Sequence, residues 1–303
     1  MRYVVTGGAG FIGSNLTDQL IKDGHEVVVL DNLSTGKVEN VNPKAQLVIL
    51  DIAGRGYADK AIKAISDADG IFHMAALARV QPSIENPYDF NRVNVLGTLN
   101  MLMWAKQVGV KRFVYSASSS AYGNASITPT PETHPTDPLS PYGLQKLIGE
   151  QYCRVFYHCY GLETVSLRYF NVFGERQALE GAYCLVMGIF ANQVLNKKPI
   201  TICGDGEQRR DFTYVGDVVK ANILAMASKN VGSGEVINIG SGDNRSVNQL
   251  ADLFNGEKLY IKERLEPRET LADNSKAKEL LGWTPTVSVE DWAPKYKKDL
   301  GII

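Results

Sequence analysis

The sequence predicts an α/β protein built on a doubly wound parallel sheet, with a smaller C-terminal α/β region. Three observations lead to this prediction. Short apolar segments alternate with helical stretches over the first half of the chain, which is the pattern of parallel βαβ units. A glycine-rich run, TGGAGFIGS, directly follows the first apolar segment. From about residue 172 the segments become shorter, so we predict two parts, 1–171 and 172–303, with some segments of the second returning to the first.

The elements follow from residue patterns in chain order. Residues 2–6 (RYVVT) form a short apolar strand, residues 11–22 show helical periodicity, and Gly24 ends that helix. Residues 26–30 form the second strand, which ends at Asp31. The other expected elements are strands at 46–50, 70–74, 111–116 and 163–168, long helices at 88–107 and 143–159, and short strands near 200–202, 235–239 and 258–261.

The composition argues against several classes of protein. The chain has 303 residues, of which 44% are hydrophobic and 21% charged, as in ordinary globular proteins. A net charge of −1 suggests neither a nucleic-acid partner nor an anionic membrane surface. No apolar run reaches about 18 residues, and the chain opens on a strand, so we expect no membrane span and no signal peptide. The four cysteines lack CxxC spacing, so we expect reduced thiols in a cytoplasmic protein and no metal site.

The glycine run has the spacing of a dinucleotide-binding turn in a Rossmann-type sheet. Gly7 can turn sharply off the strand, Gly10 has no side chain to block a pyrophosphate, and Gly13 lets the helix pack closely. The helix that follows begins with Phe11 and Ile12, whose N–H groups lie at its positive end and can meet the phosphates. The alternative is a tight βα turn without a ligand.

Asp31 ends the second strand about 20 residues beyond the glycines, where a carboxylate can bind the adenosine ribose hydroxyls. A 2′-phosphate would bring a second anion to this point, so the sequence favours NAD over NADP. We include Asn32, the next residue, in the predicted cofactor site. The alternative is that Asp31 only begins the turn DNLS.

Tyr142 and Lys146 stand four residues apart in SPYGLQK, which places a phenol and an ammonium on one helical face. A free tyrosine has a pKa near 10, so it is a poor base at neutral pH, and a nearby ammonium should lower that pKa. Lys146 is also long enough to reach a ribose hydroxyl of the cofactor. The alternative for such a pair is a solvated helix face. The serine-rich run YSASSSAYG (115–123) ends a predicted strand, at the edge where α/β sheets bind ligands.

A series of segments along almost the whole chain carries a resemblance. In order they are TGGAGFIGS, VVLDNLSTG, HMAA, NVLGTLN, FVYSASSSAYG, PLSPYGLQK, RYFNVFG, GDGEQRRDFTYVGDVV and LADNSKAKELLGW. With these segments the chain resembles the extended short-chain dehydrogenase/reductases, and among them the nucleotide-sugar 4-epimerases that act on UDP-galactose or UDP-N-acetylglucosamine. The resemblance implies that bound NAD accepts the C4 hydride, that a 4-keto sugar turns over in the site, and that return of the hydride inverts C4.

The resemblance also implies roles for catalytic residues. Tyr142 would take the proton of the sugar 4-hydroxyl, Lys146 would tune it and hold the nicotinamide ribose, and Ser118 would share the proton path and contact the sugar. Related dehydratases carry Asp and Glu just before the VYG element, and decarboxylases carry Glu at the second of these positions. This chain has Ser119 and Ser120 there, which argues against both reactions.

Further cofactor and substrate contacts are implied in the same way. Asp51 and Ile52 would lie beside the adenine, and three residues would contact the cofactor along the sheet edge: Ala75, Ala76 and Asn94. On the substrate side, Asn171 would bind a phosphate and Arg210 would clamp the diphosphate, since a guanidinium binds two oxygens at once.

The C-terminal substrate motif is irregular in this chain. In ERLEPRETLAD we expect Arg264 to bind the diphosphate and Glu266 the uridine ribose, with Arg268 as the alternative arginine. Thr270 stands where epimerases restricted to non-acetylated sugars resemble one another in carrying Tyr. A smaller residue leaves room for an N-acetyl group, whereas the alternative is that Thr270 is only a loop hydroxyl.

The sequence is also compatible with other functions, and it predicts an assembly. The enzyme alternatives are a UDP-uronate 4-epimerase and a 4-keto nucleotide-sugar reductase, and the alternative from another class is a non-catalytic dinucleotide-sensing protein. The apolar faces of 88–107 and 143–159 predict a homodimer, because relatives pack these helices as an intersubunit bundle. Burial of the same faces within one subunit is the alternative.

Overall fold

A computed structural model of the chain describes residues 1–54, 56–181, 184–263 and 266–302. The strands are β1 (Arg2–Thr6), β2 (Glu26–Asp31), β3 (Gln46–Ile49), β4 (Gly70–His73), β5 (Arg112–Ser118), β6 (Glu163–Tyr169), β7 (Val172–Phe173), β8 (Ile200–Cys203), β9 (Arg209–Asp211), β10 (Thr213–Tyr214), β11 (Ser233–Ile239), β12 (Asn244–Ser246) and β13 (Lys258–Ile261). The helices are α1 (Phe11–Lys22), α2 (Ala58–Ile65), α3 (Val80–Glu85), α4 (Pro87–Asn91), α5 (Thr98–Val108), α6 (Pro141–Tyr160), α7 (Val186–Leu195), α8 (Val215–Ala227), α9 (Val247–Phe254), α10 (Ser275–Leu281) and α11 (Val289–Asp299). Shorter helical segments are Val38–Asn40, Arg92–Gly97 and Ser119–Ala121.

The central sheet has seven strands in the order β3-β2-β1-β4-β5-β6-β11, and every neighbouring pair is parallel. The chain builds outward from β1 to β3 and then crosses back to place β4 on the other side of β1. The sheet is therefore doubly wound, with its switch point between β1 and β4. The predicted α/β fold is confirmed.

The two faces of the sheet explain why its strands are continuously apolar. Val4 and Val5 are both fully buried but belong to different cores, because successive strand residues point to opposite faces. Leu16 of α1 packs on one face. Leu102 of α5 and Phe156 of α6 pack on the other.

The chain beyond residue 172 contributes to both the main sheet and a smaller core. β11 returns to pair with β6 as the seventh strand of the sheet. Phe190 of α7, Phe254 of α9 and Trp292 of α11 form a separate apolar core beside the parallel pair β8 and β13. The boundary between 171 and 172 stays a prediction.

Two predicted helices differ from the observed ones in detail. The helix expected at 88–107 consists of α4, a π-helical segment (Arg92–Gly97) and α5. Gly97 lies so close to Ile52 that a Cβ there would come within 2.8 Å of the Ile52 Cδ1. α6 begins at Pro141, two residues earlier than expected, because Ser140 caps its first turn.

Several features bear on the expectations from composition. All four cysteines are free: Cys153 and Cys184 are buried, Cys203 is partly buried, and Cys159 is exposed. Within the described residues, no helix combines the length and the apolar character needed to cross a membrane. The same part of the chain contains no group of three or more His, Cys, Asp or Glu side chains placed to hold a metal ion.

Candidate active site

The carboxyl end of β1 turns sharply into α1 at the predicted glycines. Gly7 has a φ of +68°, and a Cβ there would stand 2.8 Å from the Cα of Ala75. A Cβ on Gly13 would collide with the carbonyl oxygen of Gly7, so glycine is required for α1 to pack against the turn. At Gly10 a Cβ would meet only the Gly7 oxygen, at 3.2 Å, so the space beside Gly10 is otherwise open.

The N-terminus of α1 suits an anion. Gly10 is the residue before the helix and offers no side chain to cap it, and the first turn carries no acidic residue. The N–H groups of Phe11 and Ile12 lie at this positive end of the helix, beside the open space at Gly10. A phosphate could accept hydrogen bonds here without displacing a protein cap.

Asp31 lies next to this turn at the end of β2. Its Oδ2 accepts from the Ala9 N–H at 3.0 Å and its Oδ1 from the Leu33 N–H at 2.8 Å. The carboxylate therefore steadies the glycine loop and also begins the turn after β2, as the alternative interpretation expected. Each carboxylate oxygen can accept a further hydrogen bond, so ribose hydroxyls can still bind. The exposed Asn32 accepts from the Ser34 N–H at 3.0 Å.

Tyr142 is fixed in the first turn of α6. Ser140 accepts from the Gly143 N–H at 3.1 Å, and Pro141 occupies the first helical position. The N–H of Tyr142 is one of the donors that a helix start leaves without a partner in the helix. It donates to the Ser83 Oγ of α3 at 3.1 Å. These contacts determine where the phenol stands.

The ionisation of this pair differs from the prediction. Burial raises the pKa of the Tyr142 phenol, and only a hydrogen bond with Ser118 and the charge of Arg79 lower it in part. Burial also lowers the pKa of Lys146 to about 7, and its Nζ donates to the Ser116 carbonyl at 2.7 Å. The predicted lowering of the Tyr142 pKa is therefore wrong for the chain by itself, because the lysine is buried, only partly charged near neutral pH and turned towards β5.

Ser118 ends β5 and lies beside the Tyr142 phenol. Its Oγ accepts from the Ser120 N–H at 3.2 Å and lies 3.1 Å from the Ser120 Oγ. The hydroxyl is nearly buried, so its orientation is set by these neighbours. The structure thus brings Ser118 and Tyr142 together, with Lys146 one turn further along α6.

The loop after β4 carries two predicted cofactor residues, and a third, Asn94, lies in the π-helical segment that contacts this loop. Ala75 and Ala76 lie partly buried at the end of β4, and Ala75 faces the glycine turn. Asn94 is buried; its Oδ1 accepts from the Leu77 N–H at 2.8 Å and its Nδ2 donates to Gln145 of α6 at 3.0 Å. The Asn94 amide therefore fixes this loop against α6, and its direct contact with a cofactor stays a prediction.

The predicted adenine-side pair lies beyond β3. Asp51 accepts from Arg92 at 2.8 Å in a partly exposed ion pair. Ile52 is buried against Gly97, and its carbonyl oxygen accepts from the Asn100 side chain at 2.8 Å. Both residues are thus held by the helical segment that leads into α5, at the edge of the sheet where the glycine turn lies.

Asn171 and Arg210 lie on neighbouring segments of the predicted substrate side. The Asn171 Nδ2 donates to the Asp211 carbonyl of β9 at 3.0 Å. Arg210, also in β9, donates to the Glu266 carboxylate at 2.7 Å and to the Arg209 carbonyl at 2.8 Å. The structure therefore brings Arg210 and Glu266 together as an ion pair, with the guanidinium largely buried.

The remaining substrate residues lie on the strand-like segment beside β9. The Thr270 N–H donates to the Arg209 carbonyl at 3.0 Å, which fixes the backbone that carries the threonine. Arg268 is exposed and binds Asp205 with both terminal nitrogens, at 2.8 and 3.0 Å, so this alternative arginine already has an acidic partner. Arg264 lies outside the described residues.

Sequence reasoning missed several residues that surround the site. Ser83 and Ser116 hold Tyr142 and Lys146, and a buried ion pair lies behind them, between Glu150 of α6 and Arg168 of β6. The sequence held two signals: Glu150 follows Lys146 by four residues, and Ser116 precedes Ser118 on the same strand. The other partners come from distant segments and left no local pattern.

The chain is similar to known proteins over most of its length. The family model described as "NAD dependent epimerase/dehydratase family" matches residues 3–240. A UDP-glucose 4-epimerase of Mycolicibacterium smegmatis is 36% identical over 313 residues, which cover 97% of this chain and 97% of the relative. The solved UDP-glucose 4-epimerase of Thermotoga maritima, with UDP-glucose, has a TM-score of 0.93 at 40% identity over 99% of this chain and 100% of that one. The UDP-N-acetylglucosamine 4-epimerase of Methanobrevibacter ruminantium M1, in complex with UDP-N-acetylmuramic acid, has a TM-score of 0.89 at 36% identity over 99% of this chain and 95% of that one.

Proposed function

The chain belongs to the NAD dependent epimerase/dehydratase family, and we propose that it catalyses the NAD-dependent 4-epimerisation of a UDP-hexose through a transient 4-keto sugar. The observation that carries this proposal is the contact between Ser118 and Tyr142 at the carboxyl edge of the sheet. The same edge carries the glycine turn and the uncapped start of α1. An acid–base pair and a pyrophosphate site thus share one edge, as a redox step on a bound sugar needs.

The residues at this edge fit NAD. The open space beside Gly10 and the N–H groups of Phe11 and Ile12 would bind the pyrophosphate. Asp31 would accept hydrogen bonds from the adenosine ribose hydroxyls, and its charge disfavours the 2′-phosphate of NADP. When bound, NAD⁺ supplies the reversible hydride acceptor that oxidation at C4 requires.

Proton transfer at the sugar is proposed for Tyr142 and Ser118. The Ser118 hydroxyl would hydrogen-bond the sugar 4-hydroxyl and relay a proton from it to the Tyr142 phenolate, which becomes the neutral phenol. Burial makes the phenolate costly, so Tyr142 depends on Ser118 and on the charge of Arg79, which both lower its pKa. Lys146 adds positive charge one helical turn away whenever it is protonated.

The diphosphate is proposed to bind between Asn171 and Arg210. The Arg210 guanidinium now contacts Glu266 at 2.7 Å and is little exposed, so a cation is held ready at this point. A diphosphate would compete for it with two oxygens in a bidentate geometry, which a guanidinium matches well. Glu266 would then be available to accept from the uridine ribose, as the sequence predicts.

We propose that the enzyme accepts N-acetylated sugars as well as UDP-glucose and UDP-galactose. Thr270 supports this because it is smaller than the tyrosine of epimerases that resemble one another in rejecting the N-acetyl group. Its backbone is fixed to β9 beside Arg210, so the threonine stands close to the proposed diphosphate site. The alternative remains a loop hydroxyl without influence on the sugar.

We also propose that the protein is a cytoplasmic homodimer. The four free thiols support a reducing compartment. Exposed apolar side chains on α5, α6 and the segment before α5 support a partner on that surface.

The test is incubation of the purified full-length protein, without added cofactor, with UDP-glucose, UDP-N-acetylglucosamine and UDP-glucuronate in separate reactions. Products are resolved by NMR, absorbance at 340 nm follows net NADH, and the NAD content is measured after denaturation. We expect UDP-galactose to form without net NADH. UDP-N-acetylgalactosamine in the second reaction would support the wider range that Thr270 suggests.

Other outcomes would reject parts of the proposal. Turnover of UDP-glucose alone would reject the acceptance of N-acetylated sugars. Turnover of UDP-glucuronate alone would point to a uronate epimerase. Bound NAD with no turnover of any sugar, even after NAD⁺ is added, would point to the dinucleotide-sensing alternative.

A further inference from the structure

A buried ion pair lies directly behind the proposed catalytic residues. α6 carries Tyr142, Lys146 and Glu150 at intervals of four residues, so their side chains lie along one face of the helix. Glu150 is 1% exposed, and Arg168 on the facing strand β6 is 4% exposed. The two carboxylate oxygens bind the guanidinium separately: Nε lies 2.9 Å from Oε1 and Nη2 lies 2.7 Å from Oε2.

The Lys146 ammonium has several titratable neighbours on three elements. Besides Glu150, they are His73 of β4, Tyr115 of β5, and Tyr142 and Cys153 of α6. The Nζ stands 5.1 Å from the centre of the Tyr115 ring and donates to the Ser116 carbonyl at 2.7 Å.

Of these neighbours, Glu150 is the one whose anionic form a guanidinium binds through both carboxylate oxygens, and the other four are uncharged at neutral pH. Burial lowers the pKa of His73 to about 3 and raises the pKa values of Tyr115, Tyr142 and Cys153, so all four are neutral there. Burial raises the pKa of the Glu150 carboxyl, and the hydrogen bonds and charge of Arg168, together with the charge of Lys146, lower it in part. The carboxylate of Glu150 is therefore the charge that can hold a proton on the buried amine.

Arg168 limits how much of that charge reaches Lys146. Its guanidinium binds Glu150 bidentately and lies over the Tyr122 ring, 4.4 Å from the ring centre. Its third nitrogen, Nη1, is buried and makes no hydrogen bond within the described part of the chain. The Glu150 carboxylate thus lies between two buried cations, Arg168 and Lys146. Its two oxygens accept their hydrogen bonds from Arg168.

We propose that Glu150 is a positioning residue whose buried negative charge keeps the Lys146 ammonium protonated, and that Arg168 determines how much of that charge Lys146 receives. The consequence for turnover rests on the proposed function, whereas the electrostatic coupling does not. The two halves of the ion pair should act in opposite directions. Neutralising Glu150 favours the free amine of Lys146. Neutralising Arg168 favours the ammonium, because Lys146 is then the cation left to balance the Glu150 carboxylate.

The test is a pH titration of Lys146 by ¹³C NMR in the full-length protein, labelled at the lysine Cε carbon. The Lys146→Arg variant assigns the signal. In Glu150→Gln we expect the midpoint to move to lower pH by about one unit or more. In Arg168→Met it should move to higher pH, and in the double variant it should lie between the two.

Glu163→Gln is the matched control. Glu163 also binds an arginine on the central sheet, Arg112, with 2.6 Å between the arginine Nη2 and the Glu163 Oε2. That pair lies at the amino ends of β5 and β6, whereas Ser118 and the proposed site lie at the carboxyl ends. The control therefore removes a carboxylate from a similar pair without altering the surroundings of Lys146, and we expect no change in the titration.

The pH dependence of kcat/KM gives a second readout. If the ammonium is needed for turnover, activity falls as the pH rises through the pKa of Lys146. The alkaline limb should then move to lower pH in Glu150→Gln and to higher pH in Arg168→Met. A purely structural ion pair would lower the melting temperature in both variants and leave the limb in place.

The direction in which the Lys146 titration midpoint shifts in each variant tests the inference. Shifts of the same sign in the two single variants, or shifts no larger than in Glu163→Gln, would overturn the inference. If Glu150→Gln does not fold, comparison of Arg168→Met with the double variant isolates the Glu150 charge alone. The expected titration in a protein without epimerase activity would reject the proposed function and leave the coupling intact.

Discussion

At the scale of single residues, burial shifts the ionisable groups of the site in opposite directions, because it always disfavours the charged form. It raises the pKa of the Tyr142 acid and lowers the pKa of two bases, Lys146 to about 7 and His73 to about 3. The neutral phenol is therefore the default state of the chain. Proton transfer depends on the few groups that offset burial, which are Ser118 at the phenol and the Arg79 charge nearby.

Replacing the phenol tests this chemistry directly. Tyr142→Phe removes the hydroxyl and leaves the N–H contact with Ser83, so the fold and the bound NAD should be retained. We predict a fall in kcat of about 10²- to 10⁴-fold, the range typical of a lost acid–base group. The measurement is kcat together with NAD content, with Tyr157→Phe on the same helix as control. A loss of less than tenfold would contradict the role.

His73 is held in one neutral tautomer by its neighbours. Its Nδ1 lies 2.8 Å from the Thr6 hydroxyl and its Nε2 lies 3.0 Å from the Thr98 hydroxyl. Because Thr98 donates to the Asn94 carbonyl at 2.7 Å, it accepts from Nε2–H, and Nδ1 then accepts from Thr6. Burial disfavours a second, charging proton on this ring, so the folded protein resists protonation of the histidine.

We therefore predict that the protein loses stability as the pH falls below 6.5. The unfolded histidine binds a proton below pH 6.5 and the folded one only near pH 3, so the unfolded state binds more protons between these values and the free energy of unfolding decreases. The contribution of His73 should amount to about 2 kcal/mol between pH 7 and 5. Urea unfolding at both pH values measures it.

The His73→Asn variant isolates that contribution from those of the carboxylates. It should be less stable than the wild type at pH 7 and should lose less stability on the way to pH 5. The exposed His158 gives the control, and His158→Gln should keep the dependence of the wild type. The same pH dependence in the wild type and in His73→Asn would show that the ring does not titrate as proposed.

At the scale of elements, the turn from β1 into α1 places different demands on its glycines. Gly13 supports the fold, because its Cα hydrogen faces the Gly7 carbonyl where a Cβ has no room. Gly10 has ordinary helix-entry angles, with φ −85° and ψ −177°, and a Cβ would fit with one tight contact. The missing side chain at Gly10 therefore matters for the ligand more than for the chain.

This difference predicts separate effects of two alanine substitutions. Gly13→Ala should destabilise the protein by about 2 kcal/mol or more, as overpacking against a backbone does. Gly10→Ala should leave the melting temperature almost unchanged and lower the NAD content, because its methyl group points into the proposed pyrophosphate site. Thermal unfolding and NAD content of the two purified variants measure both effects. Equal NAD retention in Gly10→Ala and wild type would argue against that placement of the pyrophosphate.

The sequence predicted the elements of the sheet well because strand patterns are local. β1 and β13 match the expected bounds, and the other expected strands differ by one or two residues at an end. The π-helical segment before α5 was not predicted, since a 3.6-residue period does not reveal it and the contact of Gly97 with Ile52 is long-range. Ser140 and Pro141 do signal the start of α6 in the sequence, although the predicted helix began later.

The site was predictable as a set of motifs and less so as a set of interactions. The glycines, Ser118 and Tyr142 meet at one sheet edge because the carboxyl ends of parallel strands do so. Arg168 and Ser83 could not be found, because their partners lie in other segments of the chain. The ionisation of Tyr142 was predicted in the wrong direction, since burial depends on the whole fold and not on the residue four positions away.

At the scale of the whole molecule, one surface remains apolar. Leu102, Cys153 and Phe156, which the sequence assigned to the dimer helices, are buried within the subunit. Four other side chains on these helices are between 44% and 48% exposed, and we call them the α5–α6 apolar face: Leu96, Met103, Leu144 and Val155. Adjacent helices that expose large apolar side chains usually meet a partner. A second copy related by a twofold axis would bury them in a four-helix bundle.

Charged substitutions on this face should therefore dissociate the proposed dimer. We predict that Met103→Glu/Val155→Glu changes the molar mass measured by light scattering from two chains to one, because each dimer would bury four carboxylates against apolar side chains. Neither residue contacts the proposed catalytic groups in the described structure, so the separated subunits should still fold. Leu259→Glu is the control, since Leu259 is 49% exposed on β13, away from both helices, and its substitution should leave two chains together. A wild-type mass of one chain at micromolar concentration would reject the dimer, and a double variant that stays dimeric would place the interface on another surface.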